Sequence, residues 1–201
     1  PGVTVETKKG QTTCGGQPFD LIDLPGTYSL AARSPDEMVA VDVILGQQKG
    51  EARPDVVVAI VDASNLDRNL YLTTQALELG VPVVVALNMI DVARRQGLHI
   101  DAERLGRQLG VRVVPIQANK KKGLDRLRQA IADAAREGPS VKTPRGSSLQ
   151  TFPEAFEHAV AALHAAVGAD VPAFLVRRLL LDVGGYTEQR LASRLGAGFK
   201  D

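Results

Sequence analysis

The sequence contains no Gly-x-x-x-x-Gly-Lys-[Ser/Thr] run, the pattern whose backbone N–H groups and lysine cradle phosphates. Gly15-Gly16, Gly123 after three lysines, and Gly146-Ser-Ser each lack its second half. The single cysteine, Cys14, excludes an internal disulfide framework and suits a reducing compartment. Basic and acidic side chains nearly cancel, 24 against 23, so no charge excess recruits a nucleic-acid backbone or an anionic membrane. The longest apolar runs, residues 56–61 and 81–87, fall far below the roughly 20 residues of a membrane helix. The chain opens at Pro1-Gly-Val-Thr without an initiator Met or a basic and apolar leader, and this start is read as the interior of a longer protein.

What is present is enough for one good core and a small satellite, with 44% apolar residues in 201. Residues 4–9 and 19–23 predict two short strands, joined across 10–18 with Gly15-Gly16 as the turn signal, hence an antiparallel hairpin. Ser34-Pro-Asp-Glu predicts a helix start, continued by Met38, Val41 and Leu45 and ended at Gly46 or Gly50. A regular alternation follows: strands at 56–61, 81–87 and 111–116, and helices at 66–79, 101–109 and 124–135. Continuously apolar strands separated by amphipathic helices imply a parallel sheet covered on both faces, an α/β doubly wound domain over residues 1–136. Residues 137–150 turn to Gly, Pro, Ser, Thr and Lys and read as a linker. Residues 152–167, 171–183 and 186–195 have helical periodicity without a strand candidate, so 151–201 predicts a small all-α domain.

Candidate chemistry lies at the ends of strands. Asp23-Leu24-Pro25-Gly26 follows the 19–23 strand. Asp23 is suited to hold a water on Mg²⁺, and the bare backbone of Gly26 to approach a γ-phosphate. Asn88-Met89-Ile90-Asp91 follows the 81–87 strand. Guanine offers N1–H and N2–H₂ as adjacent donors to one carboxylate, and adenine lacks that pair, which makes Asp91 the specificity residue. Asn88 is expected to meet the base edge and to tie neighbouring loops. Gln117-Ala118-Asn119 follows the 111–116 strand, where Ala118 is expected to offer its N–H to guanine O6. Thr4, after Pro1-Gly2-Val3, is a second candidate Mg²⁺ ligand. Each motif alone has an ordinary reading as a turn, cap or β-former. Together they fall in one order at the carboxyl ends of strands, where open α/β sheets bind ligands.

Pro1-Gly-Val-Thr-Val-Glu6, Asp23-Leu-Pro-Gly-Thr-Tyr-Ser-Leu30, Val61-Asp-Ala-Ser-Asn-Leu66 with Arg68-Asn-Leu-Tyr-Leu72, and Leu87-Asn-Met-Ile-Asp91 resemble the cytosolic G domain of the ferrous iron transport protein B family. The resemblance reaches to about residue 135, and the helical tail is similar in position and size to that family's inhibitor-like helical domain. It implies a Ras-like P-loop GTPase fold binding GTP/GDP with Mg²⁺. The implied nucleotide contacts are Gly2, Val3, Thr4, Val5 and Glu6, then Asp23, Leu24, Pro25 and Gly26, then Asn88, Met89 and Asp91, and finally Gln117, Ala118 and Asn119; Thr4 and Asp23 are the implied metal ligands. It also implies a place on the cytoplasmic side of a bacterial inner membrane, with the membrane-spanning part of the same transporter as partner, no nucleic-acid partner, and self-association left open.

Two departures matter. The phosphate loop is missing, and in a related full domain the same segment carries a central strand between the 19–23 and 56–61 strands. Thr27 stands where Ras-like enzymes use a water-orienting Gln, so no catalytic residue is assigned. The competing readings are a truncated, non-catalytic docking module and a ribosome-assembly GTPase; the second calls for a basic appendage that the near-neutral tail does not supply. Glu154 and His158, one helical turn apart, read as a solvated helix face, and Lys120-Lys121-Lys122 as solvated loop charge that adds to the field around a nucleotide.

Overall fold

A computed structural model describes residues 8–24, 35–48, 50–138, 152–168, 171, 173–183, 185, 188–189 and 191–192. Strands β1 (Lys8–Cys14) and β2 (Gln17–Asp23) form an antiparallel hairpin in register from Lys8 opposite Asp23 to Cys14 opposite Gln17. The hairpin was expected, but its connection is two residues rather than nine. Gly10 is absorbed into β1, and Gly15 and Gly16, with φ of 56° and 80°, make the left-handed pair that a tight hairpin turn requires. Gly15 is also required sterically, since a Cβ there would lie 2.7 Å from Ala132 Cβ on the helix beneath. The other end of β1 is tied down by Lys9, whose Nζ lies 2.8 Å from Glu51 Oε1.

The second sheet is parallel, in the order β3 (Val57–Asp62), β4 (Val83–Asn88), β5 (Arg112–Pro115). β4 is central, and the five residues Val83–Leu87 are all buried, as continuous apolarity predicts for a strand covered on both faces. Its side chains alternate between two cores. Val85 and Leu87 pack with Val61, Ile90, Ala93 and Leu109, while Val84 and Ala86 pack with Val114, Ile116, Ala130 and Ala134. The covering helices are α2 (Leu66–Glu78), α3 (Ile90–Arg95), α4 (Ala102–Leu109) and α5 (Leu124–Glu137). The helices at 66–79, 101–109 and 124–135 stand where periodicity put them, with Asp101 capping α4 through its side-chain bond from Arg104 N. α3 was not foreseen.

Among the described residues β3 pairs with β4 alone, and Ile60 at its middle is 68% exposed, whereas its neighbour Val61 is buried. Among the same residues β2 pairs with β1 alone, and Leu21 is exposed on it. These are the two strands between which sequence reasoning placed a further strand.

α1 (Pro35–Leu45) begins at the expected proline and ends at Gly46. Met38, Ala40, Val41, Val43 and Ile44 are all buried, so this helix is covered on more than one side. Its partners include the tail. α6 (Glu154–Val167) and α7 (Ala173–Leu181) contribute Val160, Phe174, Leu175, Val176 and Leu179 to one core shared with α1, with Ala76 and Leu79 from the end of α2, and with Val81 and Val83. Burying a side chain of this size contributes about 1.5–3 kcal/mol, so the tail is anchored chiefly by apolar area. Of the third expected tail helix, Glu188, Gln189, Leu191 and Ala192 are helical, and Leu191 joins the same core. The rest of that helix, and the linker beyond Gly138 up to residue 151, lie outside the described residues.

Candidate functional site: the base-recognition loops

The candidate loops follow β4 and β5, which are parallel neighbours, so their carboxyl ends open on the same edge of the sheet. After Asn88 the chain reverses through Met89, which adopts φ 59°, ψ 28°. A left-handed conformation costs a non-glycine residue roughly 1–2 kcal/mol. That strain sits at the loop where function is expected, and it lets α3 start at once at Ile90, whose side chain is buried against β4. Asp91 is thereby fixed in the first turn of α3, with its side chain only 25% exposed, while Met89 is exposed.

The loop after β5 is closed by a two-way backbone bridge. Gln117 N donates to Lys122 O at 3.0 Å, and Lys122 N donates to Gln117 O at 3.2 Å. Between them Ala118–Lys120 makes one 3₁₀ turn, and Lys121 takes φ 54° to complete the reversal. Gly123 then lets the chain fold back on β5: a Cβ there would lie 2.4 Å from Pro115 O, and φ is +80°. No other residue type fits without movement of the backbone.

The two loops meet through side chains. Asn88 Oδ1 accepts from Ala118 N at 3.1 Å, and Lys120 Nζ donates to Asp91 Oδ2 at 3.1 Å. The Lys120 hydrogen bond holds the Asp91 carboxyl below the usual aspartate range, against a smaller opposing effect of desolvation. The Ala118 N–H, expected to face guanine O6, donates to Asn88, so Asn88 ties the two neighbouring loops. Lys120, read as solvated loop charge, pairs with the Asp91 carboxylate. Its signal in the sequence was its distance of two residues past Ala118, which a one-turn loop converts into a side chain reaching back to α3.

Of the other candidates, Gln117 acts through its backbone bridge, and Asn119 is exposed on the 3₁₀ turn. Asp23 is exposed at the end of β2, and Leu24 turns into the core shared with α1 and the tail. Gly2, Val3, Thr4, Val5, Glu6, Pro25, Gly26 and Thr27 lie outside the described residues. The run from Val61 to Leu66 is structural as well as diagnostic. Asp62 stands beside Asn88 in the sheet register, and its Oδ1 accepts from Ser64 N at 2.8 Å and Ser64 Oγ at 2.7 Å, which shapes a turn packed against α3. Glu154 and His158 are exposed and 3.8 Å apart, and among the described residues no group of three His, Cys, Asp or Glu is placed to hold a metal ion. Among those residues no helix is long and apolar enough to cross a membrane.

Comparison with known proteins gives consistent matches. Residues 1–131 match the family model described as ferrous iron transport protein B. The Fe(2+) transporter FeoB of Salmonella typhimurium is 48% identical over 134 residues, which take in 65% of this chain and 17% of that protein. The chain therefore spans about a sixth of the length of the curated relatives it matches. The cytosolic domain of L. pneumophila FeoB is 35% identical and superposes with a TM-score of 0.73 over 96% of this chain and 80% of its own. The cytosolic domain of the T. maritima FeoB iron transporter in a GDP form is 31% identical, with a TM-score of 0.78 over 98% of this chain and 74% of its own. That likeness extends across the helical tail as well as the sheet, and the chain belongs to the ferrous iron transport protein B family, with a Ras-like G-domain fold.

Proposed function

We propose that this chain is the guanine-recognising part of the cytoplasmic G domain, with its helical domain, of a bacterial inner-membrane Fe²⁺ transporter, and that it acts as a GTP/GDP switch on Fe²⁺ uptake. The observation that carries the reading is the Asn88–Ala118 tie beside the Asp91 carboxylate, on adjacent strand ends of a chain in this family. An ionised carboxylate with two oxygens accepts guanine N1–H and N2–H₂ together and offers adenine no match. Residues 1–136 form the G domain in this reading and 151–201 the helical domain.

Mg²⁺ fits the donor set as far as it is described. Asp23 presents an exposed carboxylate at the end of β2, and an ion completed by phosphates, water and a Thr4 hydroxyl needs only one such group from the protein. An ion there would supply charge neutralisation for the phosphates. Asp23 would help hold it, and Asp91 and Asn88 would hold the base. Movement of the Asp23–Gly26 segment has a direct route to the tail, because Leu24 and α1 share one core with α6 and α7. The membrane-spanning part of the same transporter is the partner that receives that movement.

The test is nucleotide competition in the full-length protein. GDP should displace a fluorescent guanine nucleotide far better than ADP, and Asp91→Ala should abolish the difference. Equal displacement by both nucleotides in the unsubstituted protein would sink the reading.

A further inference from the structure

The two groups expected to meet the guanine edge each have a hydrogen-bond partner on the neighbouring loop. Asp91 accepts from the Lys120 ammonium at Oδ2, 3.1 Å away, one of the two carboxylate oxygens that guanine N1–H and N2–H₂ would call on. On the adjoining loop Ala118 N–H donates to Asn88 Oδ1 at 3.1 Å, which holds that loop beside Asp91. Arg95 donates its Nε hydrogen bond to the Asp91 carbonyl oxygen at 3.3 Å, so it acts on the carboxylate through its charge, while Lys120 makes the side-chain hydrogen bond. The loop geometry enforces this arrangement: the Gln117–Lys122 bridge and the close approach at Gly123 hold the 3₁₀ turn so that residue 120 faces α3.

We propose that Lys120 is an internal competitor for guanine at Asp91, a specificity-determining residue whose ammonium must release or share Oδ2 before the base is seated. The proposal rests on the base-recognition reading above. It has a distinctive consequence. Guanine engages both carboxylate oxygens, through N1–H and N2–H₂, while hypoxanthine has only N1–H and can leave the other oxygen to Lys120. Lys120 therefore opposes GDP more than it opposes IDP. Its Nζ is on a side chain 53% exposed, and an exposed pair of this kind limits the effect to about two- to fivefold.

The experiment measures Kd for GDP, IDP and ADP in the full-length protein, unsubstituted and as Lys120→Met and Lys120→Arg. Lys120→Met should tighten GDP by about two- to fivefold and IDP by less, raising the GDP/IDP preference, while Lys120→Arg should keep the original ratio. An unchanged or weakened GDP affinity in Lys120→Met, with GDP still preferred over ADP, overturns the competitor and leaves base recognition standing. Equal binding of GDP and ADP by the unsubstituted protein removes both. The pair is also read directly in the 201-residue chain by following the Asp91 carboxyl by NMR across acid pH. Its titration should move upward in Lys120→Met, and no movement overturns the proposal whatever the nucleotides do.

Discussion

The guanidinium of Arg178 lies 5.1 Å from the centroid of the Phe174 ring, one turn earlier on α7, and both side chains are buried in the core that the tail shares with α1 and α2. Beside them Arg177 Nη2 donates to Glu157 Oε2 at 3.0 Å, joining α7 to α6. The aromatic ring therefore carries apolar contact with the sheet domain and also faces a buried cation.

Phe174→Ala should cost about 3–5 kcal/mol where Phe174 is fully packed, and it should act on the tail before the sheet. Hydrogen exchange provides the check: amides of α6 and α7 should lose protection while those of β4 keep theirs. Simultaneous loss everywhere would show that the tail and the sheet unfold as one unit.

Glu78 predicts a pH signature. Burial raises its pKa above the ordinary 4.5, with Arg178 and Arg177 opposing the shift. A carboxyl raised in the folded state contributes stability that is fully present below the unfolded value and lost as pH rises through the folded one. Urea unfolding from pH 4 upward should thus show a decline over that window which Glu78→Gln lacks.

Leu87→Ala, at the centre of β4 and fully buried, should destabilise by about 2–5 kcal/mol in denaturant titration. Ile60→Ala, on β3 and 68% exposed, should change stability far less in this chain. The contrast narrows if a further strand pairs with β3. In a chain extended at its amino end, Ile60→Ala should become costly, and β3 amides should gain exchange protection.

Gly123→Ala should disturb the base-recognition loop beyond its effect on stability. A Cβ at 2.4 Å from Pro115 O, at φ +80°, forces the backbone to shift. The amide resonances of Ala118 and Lys120 should move, while those of the β1–β2 hairpin stay in place. Unmoved loop resonances would contradict the steric account.

The sheet was legible because its signal is long and redundant: residues 81–87 are apolar at every position, and only a strand covered on both faces uses such a run. The hairpin was legible in kind but not in extent. The connection was expected over residues 10–18, but Gly10 lies inside β1, and the reversal uses only the left-handed pair Gly15-Gly16, which was its signal in the sequence. α3 escaped notice because it is six residues long and begins immediately after a strained Met89, with no cap residue to announce it. In the site, Asn88 and Asp91 were singled out from the chemistry of guanine. Lys120 left only its spacing two residues past Ala118 as a signal, because its partner is 29 positions away and their meeting depends on the conformation of a one-turn loop.

The open side of β3 has a further consequence for how the chain behaves in bulk. Among the described residues no strand pairs with that edge, and it carries an isoleucine facing outward, so it does not distinguish a neighbour within the chain from a strand of another molecule. Colloidal behaviour should then be governed by that edge, with scattering mass rising with concentration and charged substitution at Ile60 lowering it.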